Sequence, residues 1–370
     1  MSPELVSLTG RTMMALITLL TGATFALVPW LTRRREAFAV TVPEAAQADP
    51  RLRRMRVAYS VAMLALSALA VALSWTLAVT SPVALAAVVL ALPLAGFLLM
   101  LAFRSRVRAI KRAEGWQARH ERASAVVGSA AQDAPQVLSL WWNLLYLPVI
   151  LATLALTAAL YPSMPDVVPI HMNATGQVDD TIAKGWVVFA LPAAIQLFLG
   201  GAFASSHWMI RRSKRPVSTE APASSSLAYG AFARAQSLAL LAAGMLVQAS
   251  IALMPLSFAG VISMGHAAVG VAVVCVAACA VTLGTSAAYG QSGTRLLRHT
   301  PAARTLDFDD DEHWKAGIFY VNREDPAVIL PRRFGVGWAM NWGNPRSWGL
   351  TALLVLSIAA FVAILQALVG

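Results

Sequence analysis

Eight apolar runs govern what this chain can fold into. They lie at about 8–31, 57–79, 82–103, 138–161, 185–210, 234–255, 260–288 and 348–369. Each suffices for one helix across a hydrocarbon core roughly 30 Å thick. Lipid offers backbone groups no hydrogen bonds, so such runs must close their own as helices. Hydrophobic residues make up 58% of the 370 and charged residues only 13%, about half the soluble norm of roughly 25%. These values exclude disordered, collagen-like and disulfide-scaffold chains. An all-α polytopic membrane protein is expected, with the lipid bilayer as its main partner.

The net charge of +11 is not that of a nucleic-acid binder, because the cations sit in blocks between apolar runs. Segments 32–56, 104–137, 211–235 and 289–347 hold 7, 7, 5 and 8 Lys/Arg, which is 27 of the 29; Arg11 and Lys184 are the others. With eight spans these segments share one face, and such a bias marks the cytoplasmic face. Both termini are then expected outside. Arg33, Arg34 and Arg35 follow the first run rather than precede it, which reads as an anchored helix and not a cleavable leader.

The pattern divides the chain into 1–137, three helices with basic loops; 138–210, a helix pair flanking the outer loop 162–184; 211–289, a linker and a second helix pair; 290–347, an acidic and aromatic module; and 348–370, the last helix. Segment 104–123 reads as a basic helix continuing the third span, with Val107, Ile110 and Trp116 at headgroup level. Segment 214–227 reads as a Pro/Ser linker. Cys275 and Cys279 read as free, buried thiols. Gln248 and His266 fall near one another across a short outer turn. His266 is either a functional group or an interfacial side chain bonded to a carbonyl.

Two polar segments stand apart. In the outer loop, Pro162, Pro165 and Pro169 favour extended backbone, so Val167–Met172 is expected as a strand-like stretch and Asn173–Gly176 as a turn. His171, Asn173, Asp179, Asp180 and Lys184 form the candidate ligand-binding set. They are equally suited to an internal network, with Lys184 pairing Asp179 or Asp180. The spacing fits no zinc pattern, and no metal or cofactor is expected. In 307–347 an acidic run leads into β-favouring residues. A hairpin is expected between Ile318–Val321 and Ala327–Leu330, with Trp338, Trp342 and Trp348 at the interface. The acidic run binds a cation, clamps Arg332 and Arg333, or forms a solvated, self-neutralising turn, the last being favoured.

The outer loop resembles the bacterial membrane family called domain of unknown function 1648. The matching positions are Met164-Pro165, Val168-Pro169, His171, Asn173, Gly176, Asp179 and Lys184. Trp314–Trp348 resembles the cytoplasmic module that often accompanies it, through Trp314, Gly317, Tyr320, Asn322, Asp325-Pro326, Gly335, Gly337, Trp338 and Asn341. Phe38–Tyr59 is similar to a third family stretch, with Ala39 where glycine is usual. The same loop occurs in SdpI-type immunity proteins, which protect bacteria from a membrane-active peptide. The resemblance implies a bacterial cytoplasmic membrane protein. A non-enzymatic sensor or immunity protein is expected, meeting a peptide or envelope ligand at the outer loop and a cytoplasmic protein at 307–347. The alternative is a transporter of a small or lipidic molecule. A hydrolase would rest on His171 and His266 alone, without HExxH or GxSxG.

Overall fold

The computed structural model describes residues 3–77, 81–120, 134–173, 177–216, 221–297 and 306–370. Eight helical segments are long and apolar enough to cross a membrane. They are built from α1 (Pro3–Leu31), α2 (Pro50–Leu77), α3 (Pro82–Ala113), α4 (Tyr146–Leu160), α5 (Val187–Arg212), α6 (Pro222–Ser250) with the short α7 (Leu253–Phe258), α8 (Met264–Tyr289) and α9 (Pro345–Val369). The expected all-α polytopic architecture holds. α1, α2 and α3 pack as one group, and α4 to α8 as another. The groups meet where α1 touches α8, and α9 lies against α5, where Phe198 and Phe361 stack 4.0 Å apart. A Cβ on Gly22 would overlap the Ser67 hydroxyl, so the α1–α2 crossing depends on that glycine. Lipid tails are as apolar as leucine, so close packing of this kind, not water exclusion, holds such helices together.

The four basic loops fold against one another, as an even number of spans requires. β1 (Glu36–Ala37) and β2 (Val40–Thr41) form a hairpin whose two turn residues, Phe38 and Ala39, have φ of 47° and 59°. Tight hairpin turns of this kind need positive φ at both central positions. A side chain there costs about 1–2 kcal/mol, which glycine at position 39 would avoid. Phe38 is buried among Tyr59, Phe103 and Phe334. Val107, Ile110 and Trp116 pack into the same cluster. They therefore face protein and not headgroups, although segment 104–113 does continue α3 as a helix.

Before α9 a β-rich element is present, with pairing unlike the expected one. β7 (Trp314–Lys315) pairs with β8 (Phe319–Tyr320), and β9 (Ile329–Pro331) with β10 (Trp338–Met340). Ile318–Val321 and Ala327–Leu330 are not paired with each other. The reason is Asn341, whose side-chain amide donates to the carbonyls of Asn322, Asp325 and Ala327. That amide holds 322–327 as an ordered loop.

The acidic run is a clamp and not a solvated turn. Arg333, only 2% exposed, bonds the carboxylates of Asp310 and Asp311, the Thr41 hydroxyl and the Ala39 carbonyl. Lys111 bonds Asp309 and, at 2.8 Å, Asp311. Arg104 reaches the carbonyls of Ala39 and Trp314. Arg332 is not clamped; it donates to the Trp338 carbonyl. Burial alone would raise the Asp311 carboxyl, but Arg333 and Lys111 hold it well below 3.8. Burial pushes Glu36 up to about 7, against the pull of Arg33 and Arg333.

Other expectations are corrected. Segment 214–227 is not all linker, because α6 begins at Pro222. Cys275 and Cys279 are free but exposed on α8, on a surface that lipid would cover. Trp338 packs on Phe232, while Trp342 and Trp348 meet edge to face, with Trp348 outermost.

Two predictions follow from this architecture. Single cysteines at Gln177 and Ser224, in a background lacking Cys275 and Cys279, should label from opposite sides of a sealed vesicle; labelling from one side would break the eight-span arrangement. The basic-face assembly should also respond to pH in two windows. Asp311, depressed in the fold, contributes stability fully above 3.8, lost as pH falls further. Glu36, raised in the fold, contributes most below 4.5, and that share is lost as pH rises through about 7. Amide exchange of 306–341 against pH should show both limbs, and Glu36→Gln should remove the upper one.

Candidate functional site

On the face opposite the basic loops, segment 162–184 folds as a β-hairpin. β4 (Val167–Met172) pairs antiparallel with β5 (Val178–Ala183). The strand-like stretch at 167–172 is as expected; its partner at 178–183 was not expected, because Val-Asp-Asp-Thr shows no apolar alternation. The hairpin lies on the bundle through Val168 and Ile182, both buried with Met164, Leu191 and Phe258. Its other side carries exposed Val167 and Val178. Exposed Trp186 follows the second strand.

The five candidate residues separate into two roles. His171 Nδ1 lies 2.6 Å from Asp179 Oδ1, with the two side chains 64% and 42% exposed. Asp180 is also exposed and accepts from the Thr181 N–H. Asp166, at the base of β4, is exposed too. Asn173 closes the turn: its N–H donates to the Gln177 carbonyl, and its Oδ1 accepts from the Gln177 N–H at 3.0 Å. Positions 174–176, including Gly176, lie outside the described residues. Lys184 does not pair with Asp179 or Asp180. Its ammonium donates to the Met164 carbonyl at 2.9 Å and sits 4.9 Å over the Tyr161 ring. It pins the base of the hairpin, and the three outward carboxylates remain available to a cation. Among the described residues no three His, Cys, Asp or Glu come together as a metal site.

Beneath the hairpin is a polar set that sequence reasoning missed. Gln196 on α5 and Gln248 on α6 are fully buried. Each side-chain amide donates to the other's backbone carbonyl, at 3.0 and 2.7 Å, and Gln196 also donates to the Thr153 hydroxyl on α4. Both Oε1 atoms lack a partner. Gln248 is thus matched to Gln196 and not to His266, which is exposed and bonds the Ser263 hydroxyl at the start of α8. The available signal was two glutamines inside apolar runs, a costly placement without partners. Nearer the basic face, His207 joins Asn143 and the Leu138 carbonyl.

α5 links the hairpin to the basic-face module. It begins three residues after β5 and runs 26 residues, about 39 Å at 1.5 Å per residue. Two residues beyond it, the Lys214 N–H donates to the Ile329 carbonyl and its ammonium to Asp325 at 2.7 Å. Asp325 also accepts from the Tyr320 hydroxyl and the Ala327 N–H. Burial would raise that carboxyl, but these donors, led by Lys214, hold it below the usual range.

Comparison with known families agrees with the loop resemblance. Residues 139–195 match the domain of unknown function DUF1648, and residues 323–348 match the family of unknown function DUF5808. The first match covers α4, the hairpin and the first turns of α5; the second covers most of the 322–327 loop, β9, β10 and the first turn of α9. No curated protein and no solved structure matches the chain.

The glutamine pair generates a third prediction. Gln196→Leu should destabilise the detergent-solubilised protein by about 1 kcal/mol. The double change with Gln248→Leu should cost less than the sum of the single changes. Additive losses in thermal unfolding would contradict the pairing.

Proposed function

We propose that this chain is a non-enzymatic sensor or immunity protein of a bacterial cytoplasmic membrane. In this reading the hairpin stands outside and meets a cationic, membrane-active peptide, and the basic face with its module is cytoplasmic. The 27-to-2 split of Lys/Arg supports that orientation, with both termini outside. The observation that carries the reading is the continuity of β5, α5 and Lys214, from the exposed His171–Asp179 pair to Asp325 in the module. The carboxylates of Asp166, Asp179 and Asp180 suit a cationic ligand. Exposed Val167, Val178 and Trp186 suit its apolar face, and a two-stranded hairpin has edges that can accept a third strand. The packed base, held by Lys184 and the buried Val168 and Ile182, limits the ordering lost on binding. The module at 306–341 then reports to a cytoplasmic protein. A second reading, transport of a small or lipidic molecule, is favoured by one observation, the two unpaired Oε1 atoms of Gln196 and Gln248 inside the bundle.

The test is protection. A bacterial host expressing the full chain should survive a cationic membrane-active peptide better than the empty host. His171→Ala and Asp179→Ala should lose that protection at unchanged membrane abundance, because an exposed pair contributes little to stability. Disappearance of both variants from the membrane would make the hairpin structural. Full protection by both, or none by the unaltered chain against a panel of such peptides, would remove the immunity reading.

A further inference from the structure

A cavity of about 260 Å³ opens on the basic face, lined by Trp30, Arg34, Gln47, Arg56, Thr294 and Arg295 among others. It lies where the basic ends of α1, α2 and α8 converge, at the seam between the two helix groups. Among the described residues three guanidinium groups line it and no carboxylate does. The nearest acids in sequence are already engaged, Glu36 by Arg33, Glu44 by Arg35 and Asp49 by Arg51.

The arginines are positioned but not neutralised. Gln47 holds Arg56 through its side-chain and backbone oxygens, at 2.8 and 2.7 Å, and its own amide donates to the Arg34 carbonyl. Arg34 donates to the Leu297 carbonyl, and Arg295 to the Ala287 carbonyl. Each of these is one or two of the five donors a guanidinium carries. Among the described residues the buried Arg56 Nε has no acceptor. The Arg56 guanidinium lies 5.4 Å from the Trp30 ring. Trp30 is 40% exposed at the last turn of α1, and its indole N–H donates to Ser60. Pro29 and Leu31 give the same cavity an apolar border.

We infer that this cavity binds the phosphate of an anionic phospholipid headgroup. Guanidinium groups match phosphate oxygens in geometry and charge, and basic pockets between membrane helices on this kind of face suit such headgroups. The acyl chains extend along the seam beside α1 and α8, and the bound lipid ties the two helix groups together. The inference does not depend on the hairpin's role.

The full chain in neutral detergent tests it by thermal unfolding and titration. Dioleoylphosphatidylglycerol should raise the melting temperature by several degrees, whereas dioleoylphosphatidylcholine and inorganic phosphate at equal ionic strength should not. Arg56→Gln and Arg295→Gln should each weaken the phosphatidylglycerol effect about tenfold in midpoint concentration. Arg323→Gln, the same charge change on an exposed loop, should leave it unaltered. If Arg56→Gln fails to fold, Arg34→Gln replaces it with the same expectation. An equal loss with Arg323→Gln would mean diffuse attraction to any anionic surface and overturn the site. A phosphatidylcholine effect equal to that of phosphatidylglycerol would overturn it as well. Equal stabilisation by inorganic phosphate would assign the cavity to the free anion and overturn the lipid.

Discussion

Arg333 is the residue on which the basic face depends. A guanidinium removed from water is costly unless its charge and its donors are both met. Here the acids Asp310 and Asp311 meet the charge, and Thr41 and Ala39 take further N–H bonds. Those partners come from the loop after α1 and from the acidic run, 270 positions on from Thr41 to Asp311. Lys111 and Arg104 bring in the end of α3. One buried cation thus gathers the loops of both chain ends. Removing a single partner would leave a buried charge exposed to the low dielectric, which costs far more than the intact cluster contributes. The same geometry explains the strained turn at Phe38 and Ala39, because that turn points the Ala39 carbonyl at both Arg104 and Arg333.

On the other side the constraint is different. Water is at hand, so the hairpin can leave His171, Asp179 and Asp180 exposed while burying Val168 and Ile182 against the bundle. Rigidity at the base and polarity at the tip are separate properties of the same twenty residues. α5 inherits the base directly. It then crosses beside Gln248 and ends at Arg212, two residues before Lys214, whose ammonium pairs with Asp325 of the module. Both family matches fall on this line, one on its hairpin end and one on its module end.

Hydropathy and cation blocks were enough to read the eight spans and the sharing of one face by four loops, because both are one-dimensional consequences of a lipid solvent. Partnerships across the fold were not readable that way. Arg332 and Arg333 were visible as partners for the acidic run, but nothing in Asp309–Glu312 says that the run is not solvated or that Arg333 is buried beside it while Arg332 is not. Gln196 and Gln248 are 52 positions apart, and their meeting depends on helix rotation that apolar periodicity does not define in lipid. Lys184 sits next to two aspartates in sequence, yet the hairpin register carries their side chains outward while Lys184 turns to Tyr161 and Met164. His171 and Asp179 meet because the Asn173 turn sets the strands in register, a contact visible only once β5 is known to be a strand.

α5 joins the hairpin at 167–183 to the basic-face module through Lys214. Hydrogen exchange of the amides at 325–331 measures this most directly, with the full chain oriented in sealed vesicles and a cationic amphipathic peptide added on the hairpin side. Peptide binding should change exchange in this loop, and Lys214→Ala should abolish the change while binding persists. Saturating binding with unaltered exchange at 325–331 in the unaltered chain would contradict it.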